Sequence, residues 1–150
     1  MAIAAVFQIT ERGPTPRGFR KAFNAASKES WNKTGAYFHE HMRDARFTNR
    51  HATAAGYAER KKTYTWRKFQ SKGHTRPLEY SGETRRAVRA ANISSTSSGN
   101  RVAYPGARKF NFRHPKSDIN MAEEFSRVTQ AEANELAKVY DNDLDQRLNK

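Results

Sequence analysis

The chain has 150 residues, a formal net charge of +13 and no cysteine. A chain of this length can bury one hydrophobic core, and the lack of cysteine excludes disulfides and thiolate metal sites. No apolar run approaches the roughly 20 residues of a membrane-spanning helix. The apolar N-terminus MAIAAVFQI lacks the basic start and the cleavage site of a signal peptide. We therefore expect a cytoplasmic protein with a single domain over residues 1–150.

Charge is divided unevenly along the chain. Residues 118–150 hold eight acids and four bases, whereas residues 1–117 hold 24 bases and seven acids. Such a basic protein is expected to bind polyanions, which include nucleic acid, an anionic membrane face and an acidic partner protein. The acidic C-terminal segment has two candidate partners, namely the chain's own basic surface and that of a second copy.

Residues 1–12 predict a strand and residues 15–45 predict a long helix. The first segment places β-branched and aromatic residues at alternate positions, which is typical of a strand. In the second segment, Thr15 is a suitable N-cap and Pro16 a suitable first helical residue. Apolar residues then recur every three or four positions, as on one face of a helix. Gly35 is predicted to be a weak point of this helix.

Residues 46–80 are predicted to form a basic and aromatic loop region. Residues 46–62 lack a clear period and predict a loop or a short helix. Tyr64, Trp66 and Phe69 stand among lysines and arginines. Aromatic side chains in that setting either stack on nucleobases or are partly buried while their basic neighbours lie in solvent. The second arrangement is the more ordinary one.

Residues 81–105 are predicted to form a hairpin-like unit. Its arms are residues 86–95 and 101–104, and the intervening Ser-Ser-Gly-Asn supplies turn chemistry. Because alanine is a poor strand former, residues 85–91 are alternatively a short helix capped by Ser81.

Residues 106–120 are predicted to be a loop that carries bases and two phenylalanines. We expect Phe110 and Phe112 to be packing or interface anchors. The loop is a candidate for ordering on a partner.

Residues 129–148 predict the C-terminal helix. Thr129 and Glu132 have the spacing of a capping box, in which each side chain accepts a hydrogen bond from the other residue's backbone. Together the elements predict an α+β fold, in which a long N-terminal helix and a C-terminal helix pack on a small antiparallel sheet, with extended loops.

No catalytic constellation stands out in the sequence. The five histidines lack partners at ligand spacing, and no glycine-rich phosphate loop is present. Asp141, Asp143 and Asp145 alternate as in a calcium loop but lack the glycine and the final glutamate of that motif. We expect no enzymatic activity, no cofactor and no metal. A small basic ribonuclease needs neither cysteine nor metal, but the sequence singles out no histidine and base for that chemistry.

One segment, GHTRPLEYSGETRRAV at residues 73–88, carries a family resemblance. Its Pro-Leu-Glu-Tyr-Ser-Gly element follows a basic, aromatic approach that runs from Tyr57 to Lys68. Behind it come Arg85-Arg86-Ala87-Val88, the hairpin-like stretch and the acidic terminal helix. In this order of elements the chain resembles the neck and tail-completion proteins of tailed bacteriophages.

That resemblance implies a non-enzymatic structural subunit of the virion, assembled in the cytoplasm of the bacterial host. Such subunits form rings, here expected to be hexamers or dodecamers, at the head–tail junction. The implied partners are further copies of the chain, portal- or adaptor-side proteins, tail-terminator or tail-tube proteins, and the DNA that passes through the ring. The alternative functions are non-specific nucleic-acid binding and a small basic ribonuclease or toxin.

The resemblance and the charge pattern together define three sets of candidate residues. The expected assembly loop contains Pro77, Leu78, Tyr80, Ser81 and Gly82. The expected contacts to DNA in the channel or to a partner are Arg60, Lys61, Lys62, Arg67, Lys68, Arg85, Arg86, Arg108 and Lys109. The expected acidic patch between subunits contains Glu132, Glu135, Asp141 and Asp143.

Overall fold

The computed structural model describes residues 16–150. The strand predicted for residues 1–12 and the cap predicted at Thr15 lie outside the described residues. Six α-helices and one hairpin form the described part of the chain. The helices are α1 Pro16–Tyr37, α2 Asn49–Ala54, α3 Lys62–Lys72, α4 Glu83–Ala87, α5 Met121–Ser126 and α6 Gln130–Leu148. The strands are β1 Asn92–Thr96 and β2 Gly99–Ala103.

The long N-terminal helix changes its winding in its last third. Regular α-helix ends at Tyr37, and the chain continues as a π-helical turn, Phe38–Met42, and a 3₁₀ turn, Asp44–Phe47. The prediction of one helix over 15–45 is therefore right in extent but wrong in winding beyond Tyr37. The altered winding directs Met42 and Phe47 into the protein interior, where both are buried.

Gly35 is a site of close approach between α1 and the hairpin, whereas the sequence predicted only a weak point. A Cβ atom at this position would lie 2.8 Å from Asn100 Nδ2 and 2.9 Å from Ile93 Cγ2. The Asn100 amide donates a hydrogen bond of 2.8 Å to the Trp31 carbonyl, one turn earlier in the helix. The missing side chain therefore lets the hairpin lie directly against the helix backbone.

The loop predicted for residues 46–80 is wrong over α3. This helix ends at Gly73, whose φ of +70° provides the left-handed C-cap that glycine favours. Its helical period is hidden in the sequence because the side chain that it buries is Lys68, while Trp66 and Phe69 are exposed. The N-cap of the short helix α2 is Thr48, whose side chain accepts a hydrogen bond from the His51 amide.

The predicted hairpin is confirmed, but its first strand is shorter than predicted, and its second strand begins at Gly99 and not at residue 101. β1 and β2 pair antiparallel from Asn92↔Ala103 to Thr96↔Gly99, which leaves a two-residue turn. The alternative of a short helix before the strand is also confirmed, as α4. Its N-cap is Gly82 at a φ of +80°, not Ser81.

The main hydrophobic core lies between α5 and the loop segments that contain residues 47, 78, 88 and 110. Its buried members are Phe47, Leu78, Val88, Phe110 and Phe125. The loop predicted for 106–120 is correct apart from a 3₁₀ turn, Arg108–Asn111, that buries Phe110. Phe112 is 64% exposed, so only the first of the two phenylalanines is a packing anchor here. The sequence analysis missed α5.

The C-terminal helix and its capping box are confirmed. The Thr129 hydroxyl accepts from the Glu132 amide at 3.3 Å, and the Glu132 carboxylate accepts from the Thr129 amide at 3.0 Å. The helix packs along α1, where the Tyr140 and Trp31 rings lie 4.4 Å apart. The α+β class is therefore confirmed. Among the described helices, none is both long enough and apolar enough to cross a membrane.

We expect Gly35→Ala to destabilise the protein, although alanine favours an isolated helix by about 1 kcal/mol. The added methyl group forces the hairpin away from α1, and overpacking of this kind typically costs about 1–3 kcal/mol. Urea unfolding measures the change. Gly99→Ala is the control, because no atom lies within 4 Å of a Cβ added there. A stabilised Gly35→Ala variant would show that helix propensity outweighs the close approach.

Candidate assembly surface

The segment that carries the family resemblance has a buried half and an exposed half. Residues 77–79 are buried, and Leu78 belongs to the hydrophobic core. Tyr80 is 49% exposed, and Ser81 is exposed beside it. Leu78 therefore anchors the segment in the core, and Pro77 is buried beside it. The exposed part of the predicted assembly loop is its second half, and the role of the loop in assembly stays a prediction.

The backbone of this segment is held in an unusual conformation. Leu78 has a φ of +56°, which bulky residues rarely adopt and which costs on the order of 1–3 kcal/mol. Burial of the Leu78 side chain offsets this cost, and the Thr84 hydroxyl donates a 2.6 Å hydrogen bond to the Leu78 carbonyl. The core thus determines where Tyr80 stands on the surface.

The nine predicted basic contacts divide into structural and surface groups. Arg85 lies 3.7 Å from Asp44, and Lys109 pairs with Glu83. Five other bases are exposed and have no ion-pair partner among residues 16–150. These five are Lys61, Lys62, Arg67, Arg86 and Arg108.

Arg60 is a structural residue. Its guanidinium donates to both oxygens of Glu124, which is 2% exposed. The same carboxylate accepts a 2.9 Å hydrogen bond from the Ala58 amide. These contacts fasten the segment before α3 to α5, so Arg60 has a structural role within the chain. The DNA contact predicted for Arg60 stays a prediction.

Lys68 is the residue that attaches α3 to the rest of the protein. Its side chain is buried, and its ammonium group donates a hydrogen bond to the Arg76 carbonyl oxygen. Burial lowers the pKa of Lys68 from 10.5 to about 8. Lys68 therefore has a structural role as well, and the DNA contact predicted for it stays a prediction.

The acidic patch predicted between subunits is mostly used within the chain. The Glu132 carboxylate accepts hydrogen bonds from both terminal nitrogens of Arg46, whose side chain is fully buried. The Glu135 carboxylate accepts a hydrogen bond from the Tyr37 hydroxyl. Asp143 is buried as well. Of the two alternatives for the acidic segment, the chain therefore adopts the one in which it folds onto its own N-terminal helix. Glu135 and Asp141 stay exposed, and neither has an ion-pair partner among the described residues.

Asp143 holds α6 against α1. Its carboxylate accepts from Lys33 at 2.8 Å, from Ser30 at 3.0 Å and from Arg147 on its own helix. Burial alone would raise the pKa of Asp143, but these three donors outweigh it and hold the pKa at about 2.

The aromatic residues of α3 contradict the more ordinary interpretation of this sequence. Trp66 is 64% exposed and Phe69 is 53% exposed, while Lys68 between them is buried. Trp66 and Phe69 are three residues apart, and Lys62 precedes Trp66 by four, so the three share one side of the helix. We call this side, formed by Lys62, Trp66 and Phe69, the α3 outer face.

An open apolar groove lies where α1, β2 and the junction of α5 with α6 meet. Its volume is about 280 Å³. It is lined chiefly by Trp31, Phe38, Val102, Tyr104, Val128 and Leu136. We call it the Val128 groove, because Val128 is 45% exposed. Sequence reasoning missed the groove, since its walls come from four separate elements.

No group of three or more metal-ligating side chains occurs among residues 16–150. Comparison of the chain with protein families, with curated proteins and with solved structures finds no match.

We expect Asp143→Asn to lower the free energy of unfolding at neutral pH by about 1.5–3 kcal/mol, the range for hydrogen bonds to a charged group. The folded pKa lies below the unfolded one, so this stability is present above pH 3.8 and is lost as the pH falls toward 2. The difference between wild type and variant should therefore shrink over that window. Urea unfolding against pH measures it. Asp141→Asn on the exposed side of α6 should change stability by less than about 0.5 kcal/mol.

We expect stability to rise with pH between about 8 and 10 because of Lys68. The folded protein releases this proton at lower pH than the unfolded chain, so deprotonation favours folding. In urea unfolding, the free energy of unfolding of Lys68→Met should not rise with pH between about 8 and 10. Lys62→Met, an exposed lysine of the same helix, should retain the rise, and equal pH profiles for both variants would contradict the assignment.

Proposed function

We propose that the chain is a structural subunit of the neck of a tailed bacteriophage, a tail-completion protein that forms a ring at the head–tail junction. The observation that carries the proposal is the Pro-Leu-Glu-Tyr-Ser-Gly segment itself. It anchors its first half in the core and presents Tyr80 and Ser81 on the surface. A rigidly placed surface loop suits a subunit that must meet its neighbours in one orientation.

The distribution of exposed side chains supports an assembly role. Large hydrophobic side chains are exposed on α3 and on the loop after it, namely Trp66, Phe69 and Tyr80. Exposed apolar patches on a folded chain mark surfaces that meet other molecules. A ring subunit has at least two such surfaces, one for each neighbour. Its exposed bases would face the DNA that passes through the channel.

Non-specific nucleic-acid binding is the second candidate. It is favoured by the exposed bases that have no ion-pair partner among residues 16–150, and by the exposed aromatic side chains that lie beside two of them, Lys62 and Arg67, on α3. Phosphate neutralisation by lysine and arginine gives affinity that falls steeply with salt. The two candidates differ in what they require, because a neck subunit must form a ring and a nucleic-acid-binding protein need not.

We expect light scattering to give a ring-sized mass, and negative-stain microscopy to show particles with an open centre, alone or on linear DNA. Tyr80→Ala should weaken assembly by tenfold or more, since buried interface tyrosines typically contribute about 2 kcal/mol or more. Its folding should be unchanged, because Tyr80 lies on the surface. Leu78→Ala is not a useful test, since it removes a core side chain.

Phe19→Ala is the matched control, since it removes another exposed aromatic side chain without touching the loop. A chain that stays monomeric with and without DNA, yet binds DNA with steep salt dependence, would overturn the neck proposal in favour of the second candidate.

A further inference from the structure

We propose that the α3 outer face of one copy docks into the Val128 groove of the next copy. The inference rests on the proposed ring, because a closed ring of identical subunits needs a contact in which one patch meets a different patch. It identifies the two patches by residue and gives the contact a direction around the ring.

The first patch is an apolar projection that the chain itself leaves uncovered. Trp66 and Phe69 are both more than half exposed on one side of α3. An amphipathic helix normally turns such residues inward and its lysines outward, and α3 does the reverse by burying Lys68. Tryptophan and other aromatic residues are enriched at the energetic centres of protein interfaces.

The second patch is a depression of matching size and chemistry. The Val128 groove has a volume of about 280 Å³, and its lining is mostly aromatic and aliphatic. A cavity of about 150 Å³ accommodates a benzene ring, so the groove has room for the larger indole ring of Trp66. Val128, at 45% exposure, and Leu136 would be covered by such a ring.

Charge favours this pairing. Residues 60–78, which contain α3, hold seven bases and no acid. Residues 121–148, which contain α5 and α6, hold seven acids and three bases. Glu124, Glu132 and Asp143 are paired within the chain, and the other four acids, Glu123, Glu135, Asp141 and Asp145, are exposed. Opposite charges around an apolar centre accelerate encounter and suppress wrong pairings.

The two patches are exposed in the same chain, so each is open to a second copy. A nucleic acid is the other occupant that the α3 outer face could take, because bases stack on aromatic side chains beside lysine. That occupant leaves the Val128 groove unexplained. Docking between copies accounts for both patches with one contact.

The test uses two variants of the full chain, Trp66→Glu and Val128→Lys. Trp66→Glu removes the indole ring that would enter the groove. Val128→Lys places a positive charge in the groove, which would repel the positively charged α3 of the next copy. Both positions are exposed, so circular dichroism should show an unchanged fold. We expect each variant alone to lose assembly, with at least a tenfold weaker association than wild type. Phe112→Glu is the control, because Phe112 has the same 64% exposure as Trp66 and should assemble like wild type.

An equimolar mixture of the two variants tests the direction of the contact. The intact projection of Val128→Lys can enter the intact groove of Trp66→Glu, and neither chain can add a further copy. We therefore expect the mixture to give a 1:1 heterodimer by light scattering. Two monomers that do not combine would overturn the docking of these two patches.

Other outcomes separate this inference from the proposed ring. Rings that persist in both variants would overturn the docking and leave the neck proposal standing. A wild-type chain that forms no ring would overturn both. If Trp66→Glu instead abolished binding of a single-stranded oligothymidine and left the solution mass unchanged, the α3 outer face would be a nucleic-acid surface and the docking would be wrong.

Discussion

The described structure depends on a fully buried arginine at the end of the N-terminal helical segment. Arg46 donates to both oxygens of Glu132, to the Met42 carbonyl at 2.9 Å and to the Arg127 carbonyl at 3.3 Å, and it lies 4.5 Å from the centre of the Phe38 ring. A buried charge is costly unless it is paired and hydrogen-bonded. These partners come from the helical segment that Arg46 ends and from residues 127–132 at the start of α6, so pairing this guanidinium joins the N-terminal helical segment to the C-terminal helix.

The need to pair buried charges also determines which charged side chains remain available to partner molecules. Glu132 pairs with the buried Arg46, while Asp143 and Glu124 are themselves buried and pair with Lys33 and Arg60. Several of the acidic residues near the C-terminus therefore form ion pairs within the fold. The bases outnumber the acids available to them, and several remain on the surface. A chain with this balance is suited to assembly on an anionic neighbour or around DNA, as in the proposed neck ring.

Features with a local cause were predictable. The capping box at Thr129 is a matter of spacing within one turn, and the hairpin follows from a turn between two short strands. Arg46 and α3 were harder, because their partners lie far away in sequence. Arg46 did leave a signal: it follows Phe38 and Met42 at steps of four, on the stripe that enters the core. Lys68 left none, since a lysine is rarely the buried residue of a helix.

The sequence by itself determined the α+β class, the two long helices, the hairpin, the strongly basic surface and the segment that carries the phage resemblance. Only the tertiary structure decided which side of each element is inside. It placed Leu78 in the core and Tyr80 on the surface, buried Lys68 while exposing Trp66, and made Gly35 a point of contact. The physical reason is that local propensity and spacing act within a few residues, whereas burial depends on which distant side chains can satisfy a charge or fill a space.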